Sequence, residues 1–195
     1  MEHEKAENFL FSYTNVNHRV FMQNFHYHDN HELYFLVDGT VKYMIGDEIF
    51  CVRKGNFVFV PKGIPHKTDS EACCRNERML VCFDDSVFCD GLTDILADFT
   101  KDKLICVEKT QLPVIAEILR KIQQEYGKDS PYKNAMIKAH IKQLLIGHVS
   151  KAKHTVVNDA LCSNAQQHAK VAPQAQCVGT ETPGCFGVLC QSFHG

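Results

Sequence analysis

Short β-prone runs follow one another between residues 9 and 83, and this pattern restricts the possible folds more than any other feature of the sequence. The runs cover 9–13, 20–25, 31–37, 41–45, 48–52, 57–60 and 79–83. Gly46 and Asp47 separate two of the runs with glycine first, which favours a type II′ hairpin, and Pro61 ends another run. Many short strands joined by turns predict a β-sandwich or a closed barrel over residues 1–90.

The periodicity changes in the next segment, 91–154. Apolar residues recur at helical spacing over 111–126 and over 132–150, which predicts a helical hairpin after the barrel. Their apolar faces require a partner, which is the barrel, the other helix or a second copy of the chain. We expect a homodimer through these faces, which contain Leu112, Ile115, Leu119, Ile122, Ile141, Leu144 and Leu145.

The last segment, 155–195, shows neither periodicity. After Leu161 its only charged side chains are Lys170 and Glu181. We interpret it as a disordered or atypical tail. It could also be an interaction arm, or the product of a reading-frame shift near residue 155, and the abrupt change of composition favours the frameshift hypothesis.

Charge and hydropathy argue against two classes of protein. Charged residues make up 23% of the chain and the net charge is −2, which argues against a broad basic surface for nucleic acid. The sequence has no apolar run of about 18 residues, which a membrane-spanning helix would need. Residues 1–5 are polar and do not resemble a secretory leader. We therefore expect a cytoplasmic protein without a membrane anchor.

Side chains that can bind a metal are concentrated in 26–32. His26 and His28 are two residues apart, so in a strand they would share a face, and Glu32 keeps the same parity. His66 follows a later strand as a fourth candidate. Three imidazoles and a carboxylate suit iron, nickel, manganese or zinc. The alternative is a polar lining that binds an organic ligand without a metal.

These stretches resemble the two sequence motifs of the cupin superfamily. The first motif is matched by His26, His28, Glu32 and Gly39, and the second by Gly55, Pro61, Gly63 and His66. The resemblance implies a small jelly-roll barrel with the three histidines and Glu32 pointing inward. The chain departs from the motifs at Val20, where a glycine is usual, and at Ser70.

Within that superfamily, 26–39 and 55–66 resemble the sensor domain of AraC-type transcription regulators. The resemblance covers about residues 9–154 and places the helical hairpin where those regulators have their dimerisation helices. It implies a homodimeric domain that binds a small-molecule effector, such as a sugar. Such regulators continue into helix-turn-helix units. Since 155–195 lacks the required apolar pattern, we expect DNA contact only through a domain that is missing here.

Two functions therefore remain open. The first is a ligand-sensing and dimerisation domain that performs no chemistry, with Tyr34 and Tyr43 lining its pocket beside the motif residues. The second is a stand-alone cupin metalloenzyme, a dioxygenase or an isomerase, that uses its metal as a Lewis acid or to activate oxygen.

Overall fold

Two antiparallel β-sheets dominate the structure, a computed structural model that describes residues 9–70, 75–89 and 91–149. The strands are β1 (Phe9–Val16), β2 (His31–Asp38), β3 (Thr40–Ile45), β4 (Glu48–Arg53), β5 (Asn56–Val60), β6 (His66–Ser70), β7 (Asn76–Phe83) and β8 (Leu104–Cys106). One sheet has the order β1-β7-β2-β5-β8 and the other β4-β3-β6. The tail 155–195, with the hypotheses attached to it, lies outside the described residues.

Three α-helices follow or interrupt the last strands: α1 (Thr93–Lys101), α2 (Leu112–Tyr126) and α3 (Lys133–Leu144). A π-helical turn, Leu145–Val149, extends α3. The predicted β-rich fold with C-terminal helices is thus confirmed, and the hairpin helices lie close to their predicted positions. Sequence periodicity did not predict α1, β6 or β8. No helix in the described ranges is long and apolar enough to cross a membrane.

The five-stranded sheet is buried on both faces, so its strands carry two different sets of side chains. One set, with Tyr34, Leu36, Val58 and Val60, faces the smaller sheet and forms an inner core together with Val41, Tyr43, Ile45 and Val52 of that sheet. The opposite set packs against the helices and forms an outer core that includes Leu33, Phe35, Phe57, Phe59, Val81, Phe83, Phe99, Ile118 and Ile137. Because side chains alternate along a strand, the central strands β2, β5 and β7 contribute to both cores.

Gly39 connects β2 to β3 at a position where only glycine fits. Its φ is +106°, and a Cβ atom there would lie 2.2 Å from the carbonyl oxygen of Arg75. A side chain would therefore both strain the backbone and clash with it. The first cupin-like motif places its glycine at this turn.

Residues 20–25 do not form the predicted strand. Phe21 makes only an isolated bridge to Asp69, and Phe21 and Phe25 are exposed. Arg19 and Lys67 contact the faces of these two rings instead. The run resembled a strand because it is aromatic, but it connects β1 to β2 across the edge of the smaller sheet.

The helical residues expected at a dimer interface are buried within a single chain. Ile115, Leu119, Ile122, Ile141, Leu144 and Leu145 belong to the outer core, and Leu112 packs against it. The apolar side chains that α2, α3 and their flanks leave exposed are Val114, Tyr132, Met136 and Ile146. Homodimer formation stays a prediction, and its interface would have to use this second set.

Candidate metal centre

Backbone hydrogen bonds bring the two motif segments together at one end of the inner core. The amide of His26 donates to the carbonyl of His66 over 3.1 Å, and the amide of His66 donates to the carbonyl of His26 over 2.9 Å. The amide of Gly63 donates to the carbonyl of His28 over 2.8 Å. His26 and His28 therefore lie in an irregular segment rather than in a strand, and these bonds fix their positions.

The structure brings the four predicted side chains into one cluster. The ligand atoms of His26, His28 and His66 lie within 4.8 Å of one another. An oxygen of Glu32 is 3.3 Å from His28 Nε2 and 3.6 Å from His66 Nε2. Glu32 and His66 are buried, whereas His26 and His28 are half-buried. The cluster is therefore open to solvent on the side of His26 and His28.

Hydrogen bonds to carbonyl groups orient two of the imidazoles. His28 Nδ1 is 2.7 Å from the carbonyl oxygen of Asn30, and His66 Nδ1 is 2.8 Å from that of Ile64. A ring that donates through Nδ1 presents the lone pair of Nε2 to the cluster, which is how metal-binding histidines are usually held. His66 Nε2 is buried and has no hydrogen-bond partner. This orphaned nitrogen fits a metal ligand.

Glu32 is an ionised carboxylate in a buried position. Burial alone raises its pKa, but the hydrogen bond with His28 and the nearby ring of His66 lower it well below its usual range. The hydroxyl of Tyr43 donates to the other carboxylate oxygen. The Glu32 hydrogen bond raises the pKa of His28, whereas burial lowers the pKa of His26. The cluster thus combines one fixed negative charge with nitrogen donors.

These residues fit a transition metal. Three nitrogens and one oxygen form the kind of donor set that binds iron, nickel, manganese or zinc, and a metal bound to four of them keeps positions for a ligand. His26, His28, Glu32 and His66 would hold the ion, and Tyr43 would orient Glu32. Bound there, the ion would supply Lewis acidity to an oxygen-bearing ligand that enters from the side of His26 and His28.

A second polar group lies further along the same interior. Tyr34 Oη, Thr68 Oγ1, Asn76 Oδ1 and Arg78 Nε are buried and have no hydrogen-bond partner among the described residues. The Arg78 guanidinium carbon lies 5.7 Å from the centre of the Tyr34 ring, and that ring is 5.2 Å from the Tyr43 ring. We call these four residues the Arg78 group. Of the two predicted tyrosines, Tyr43 thus contacts the metal cluster and Tyr34 belongs to the Arg78 group.

Sequence reasoning missed the contributions of β7 to this interior. Cys82, which lies in the predicted strand 79–83, forms a second candidate ligand group with His28 and Glu32. Strand β7 pairs with β2 so that Cys82 is opposite Glu32 and Arg78 is opposite Leu36. No local signal in 79–83 specifies which face of the strand is turned inward, because that depends on the pairing register.

Comparison with known proteins identifies the β-rich part. Residues 15–72 match the model of the Cupin domain family. Similar solved structures include oxalate decarboxylase from Bacillus subtilis, with 24% identity over 42% of this chain and 22% of that one and a TM-score of 0.34. A cupin protein from Bacteroides fragilis shows 13% identity over 40% of this chain and 67% of that one, with a TM-score of 0.37.

A third similar structure is a conserved protein of unknown function from Streptococcus pyogenes, with 18% identity, coverage of 41% and 68%, and a TM-score of 0.36. The chain spans about a fifth of the length of the oxalate decarboxylase chains that it matches, 22% in each case. No curated protein sequence matches this one. None of these matches concerns the AraC-type resemblance, which stays a prediction.

By its motifs, its sheets and the family match, the chain contains a cupin domain that is followed by helices.

Proposed function

We propose that this chain is the ligand-sensing and dimerisation part of an AraC-type transcription regulator, and that its barrel interior binds a small molecule beside a metal ion. One observation carries the proposal. Strand β2 contributes Glu32 to the metal cluster on one face of its sheet, and with Leu33 and Phe35 on the other face it supports helices α2 and α3. Such a two-sided sheet couples a buried site to an interface on the far side of the strands.

Adjacent residues of β2 would couple the metal cluster to the helices. Glu32 faces the cluster, while its neighbours His31 and Leu33 lie on the helix side. His31 Nε2 donates to Asp85 Oδ1 over 2.8 Å, and the ring stacks on Phe59 at 5.4 Å. A ligand that shifts β2 by a few tenths of an ångström therefore shifts the surface on which the helices pack, because close-packed cores transmit such strain.

The buried polar atoms support an organic ligand in addition to the ion. An unsatisfied buried donor or acceptor costs about 1–3 kcal/mol, and the Arg78 group contains several. A small polyhydroxylated molecule such as a sugar has the hydroxyl groups to satisfy them, and it can place another oxygen on the metal. The proposed ligand thus extends from the metal cluster toward Arg78.

Hydrogen–deuterium exchange on the full chain tests the sensor function. We expect Zn²⁺ together with an effective member of a panel of pentoses and hexoses to slow exchange in 112–126 and 133–144 as well as in β2. Glu32→Gln should abolish the response, whereas Glu117→Gln, on the exposed face of α2, should keep it. A response confined to the barrel, or the absence of any response to metal and sugars, would contradict the proposal.

Dimer formation through the helices has its own test. Light scattering should show a dimer in solution, and the double substitution of Val114 and Met136 by Glu should give a monomer with unchanged circular dichroism. These two side chains are 47% and 41% exposed, so that the substitution leaves the outer core intact. A wild-type monomer at tens of micromolar would contradict a dimeric sensor.

The half-buried positions of His26 and His28 favour a second candidate, a stand-alone metalloenzyme with ligand positions open to solvent. Its test is oxygen uptake by the Fe²⁺-loaded chain in the presence of small organic acids and sugars, with His66→Ala as the control. Turnover that His66→Ala abolishes would favour the enzyme over the sensor.

A further inference from the structure

Cys82 lies beside the proposed metal site, at a position that neither cupin-like motif includes. Its sulfur, a ring nitrogen of His28 and an oxygen of Glu32 lie within 4.8 Å of one another. Donors that share one ion through bonds of about 2.0–2.3 Å lie roughly 3–4.5 Å apart. The 4.8 Å limit slightly exceeds this range, so the sulfur reaches an ion bound by His28 and Glu32 directly or after a small side-chain rotation.

The position of Cys82 follows from the strand pairing. Cys82 is the cross-strand partner of Glu32, and β7 turns Leu80 and Arg78 toward the same interior. Val81 and Phe83 alternate with them and pack in the outer core. The sulfur thus faces the polar end of the interior rather than the apolar layer between sheet and helices.

The sulfur of Cys82 is not engaged by another bond among the described residues. The Cys82 thiol is buried, is not part of a disulfide and has no hydrogen-bond partner in the part of the chain that the structure describes. The orphaned His66 Nε2 independently indicates that an ion belongs in this cluster.

We infer that Cys82 is a sulfur ligand of the metal centre, beside His28 and Glu32. The inference rests on the metal site of the proposed function. On binding, the S–H bond breaks, the proton leaves to solvent and a metal–sulfur bond forms. Thiolate sulfur favours Zn²⁺, Co²⁺, Ni²⁺ or Fe²⁺, whereas Mn²⁺ prefers oxygen and nitrogen donors. The centre therefore selects the first group of ions over Mn²⁺.

Absorption spectroscopy of the Co²⁺-loaded full chain tests the inference. Visible d–d bands report that Co²⁺ occupies the site, and a near-ultraviolet charge-transfer band reports a cobalt–sulfur bond. We expect both in the wild-type chain. Cys82→Ser and Cys82→Ala should lose the charge-transfer band and keep the d–d bands, and they should lower Zn²⁺ affinity by at least about tenfold.

Cys106→Ser is the matched control and should keep both bands. Cys106 is half-buried and hydrogen-bonded to Asn56, at the opposite end of β5 from the cluster. A charge-transfer band that is absent from the wild type, or that persists in Cys82→Ser, overturns the inference while the metal site stands. The absence of d–d bands overturns the metal site as well.

A second measurement remains available if the Cys82 variants do not fold. X-ray absorption of the Zn²⁺-loaded wild-type chain at one equivalent of metal should include a scatterer at about 2.3 Å, the zinc–sulfur distance, beside nitrogen and oxygen at about 2.0–2.2 Å. A shell of nitrogen and oxygen alone overturns the inference.

Discussion

The two faces of the five-stranded sheet carry side chains from the same strands but have opposite chemistry. The outer face presents Leu33, Phe35, Val81 and Phe83 to the helices, and its one buried imidazole, that of His31, has partners in Asp85 and the amide of Lys62. The inner face presents Glu32, Tyr34, Arg78 and Cys82. Several buried polar atoms that line the interior between this face and the smaller sheet, including Tyr34 Oη and His66 Nε2, have no partner among the described residues.

We infer from this difference that the outer face stabilises the fold and that the inner face binds a ligand. The outer face gains free energy by removing apolar surface from water, at about 25 cal/mol per Å². On the inner face, desolvated polar atoms without partners lower stability in the ligand-free state. In the part of the sheet that the structure describes, unpaired buried polar atoms occur on the inner face and not on the outer face. This difference indicates that the inner face is a binding site, where a ligand would pair these atoms.

The largest expected effect is on the outer face. Phe59→Ala removes a fully buried ring that contacts Phe88 and Phe99, and we expect it to lower the free energy of unfolding by about 3–5 kcal/mol. Denaturant unfolding measures the loss. Metal affinity of the folded chain should change little. A loss below about 1 kcal/mol would mean that the outer face is not the main source of stability.

His66→Ala should lower metal affinity strongly and change stability little, the reverse of what we expect for Phe59→Ala. It removes a buried donor of the cluster, so we expect metal affinity to fall by about 100-fold, whereas unfolding of the metal-free chain should change by less than about 2 kcal/mol. Calorimetric titration with Zn²⁺ and denaturant unfolding give the two numbers. If both substitutions lowered stability alike and spared metal binding, the division between the faces would be wrong.

Tyr43→Phe probes a satisfied polar atom of the inner face. The substitution removes the hydroxyl that donates to Glu32 and leaves a buried carboxylate oxygen unpaired. We expect the metal-free chain to lose about 1–3 kcal/mol of unfolding free energy at neutral pH. Unchanged stability would show that water replaces the hydroxyl without penalty.

Tyr34→Phe is the matched comparison and should have the smallest effect. The hydroxyl that it removes has no partner within the described residues, so the ligand-free chain should be unchanged or more stable by up to about 1 kcal/mol. The ring contacts to Tyr43 remain. If Tyr34→Phe costs as much as Tyr43→Phe, the Tyr34 hydroxyl is already satisfied and the Arg78 group is not a ligand site.

Much of the fold could be predicted from local patterns. The hairpin around Gly46 has the expected glycine at positive φ, +59°, and the helical periodicity located α2 and α3 to within a few residues. The run 20–25 was misassigned because exposed aromatic residues mimic a strand. Strand β8 has only three residues, too few for an alternating pattern, and it forms because β5 offers an edge.

The candidate site was predictable where the motifs carry it and not elsewhere. His26, His28, Glu32 and His66 could be selected by their spacing, although the strand geometry invoked for the first two was wrong. Cys82 and Arg78 could not be selected, because their inward orientation depends on how β7 pairs with β2. A slip of one residue would have turned Val81 inward instead.

Metal stoichiometry directly determines whether the interior beside the inner face is a binding site. Chain purified without added metal should be analysed for transition metals, then stripped with a chelator and titrated with Zn²⁺, in parallel with His66→Ala. We predict one ion per wild-type chain and clearly less metal in the variant at equal protein and metal concentrations. Equal metal content in the two proteins, or no ion in the wild type after titration, would contradict this prediction.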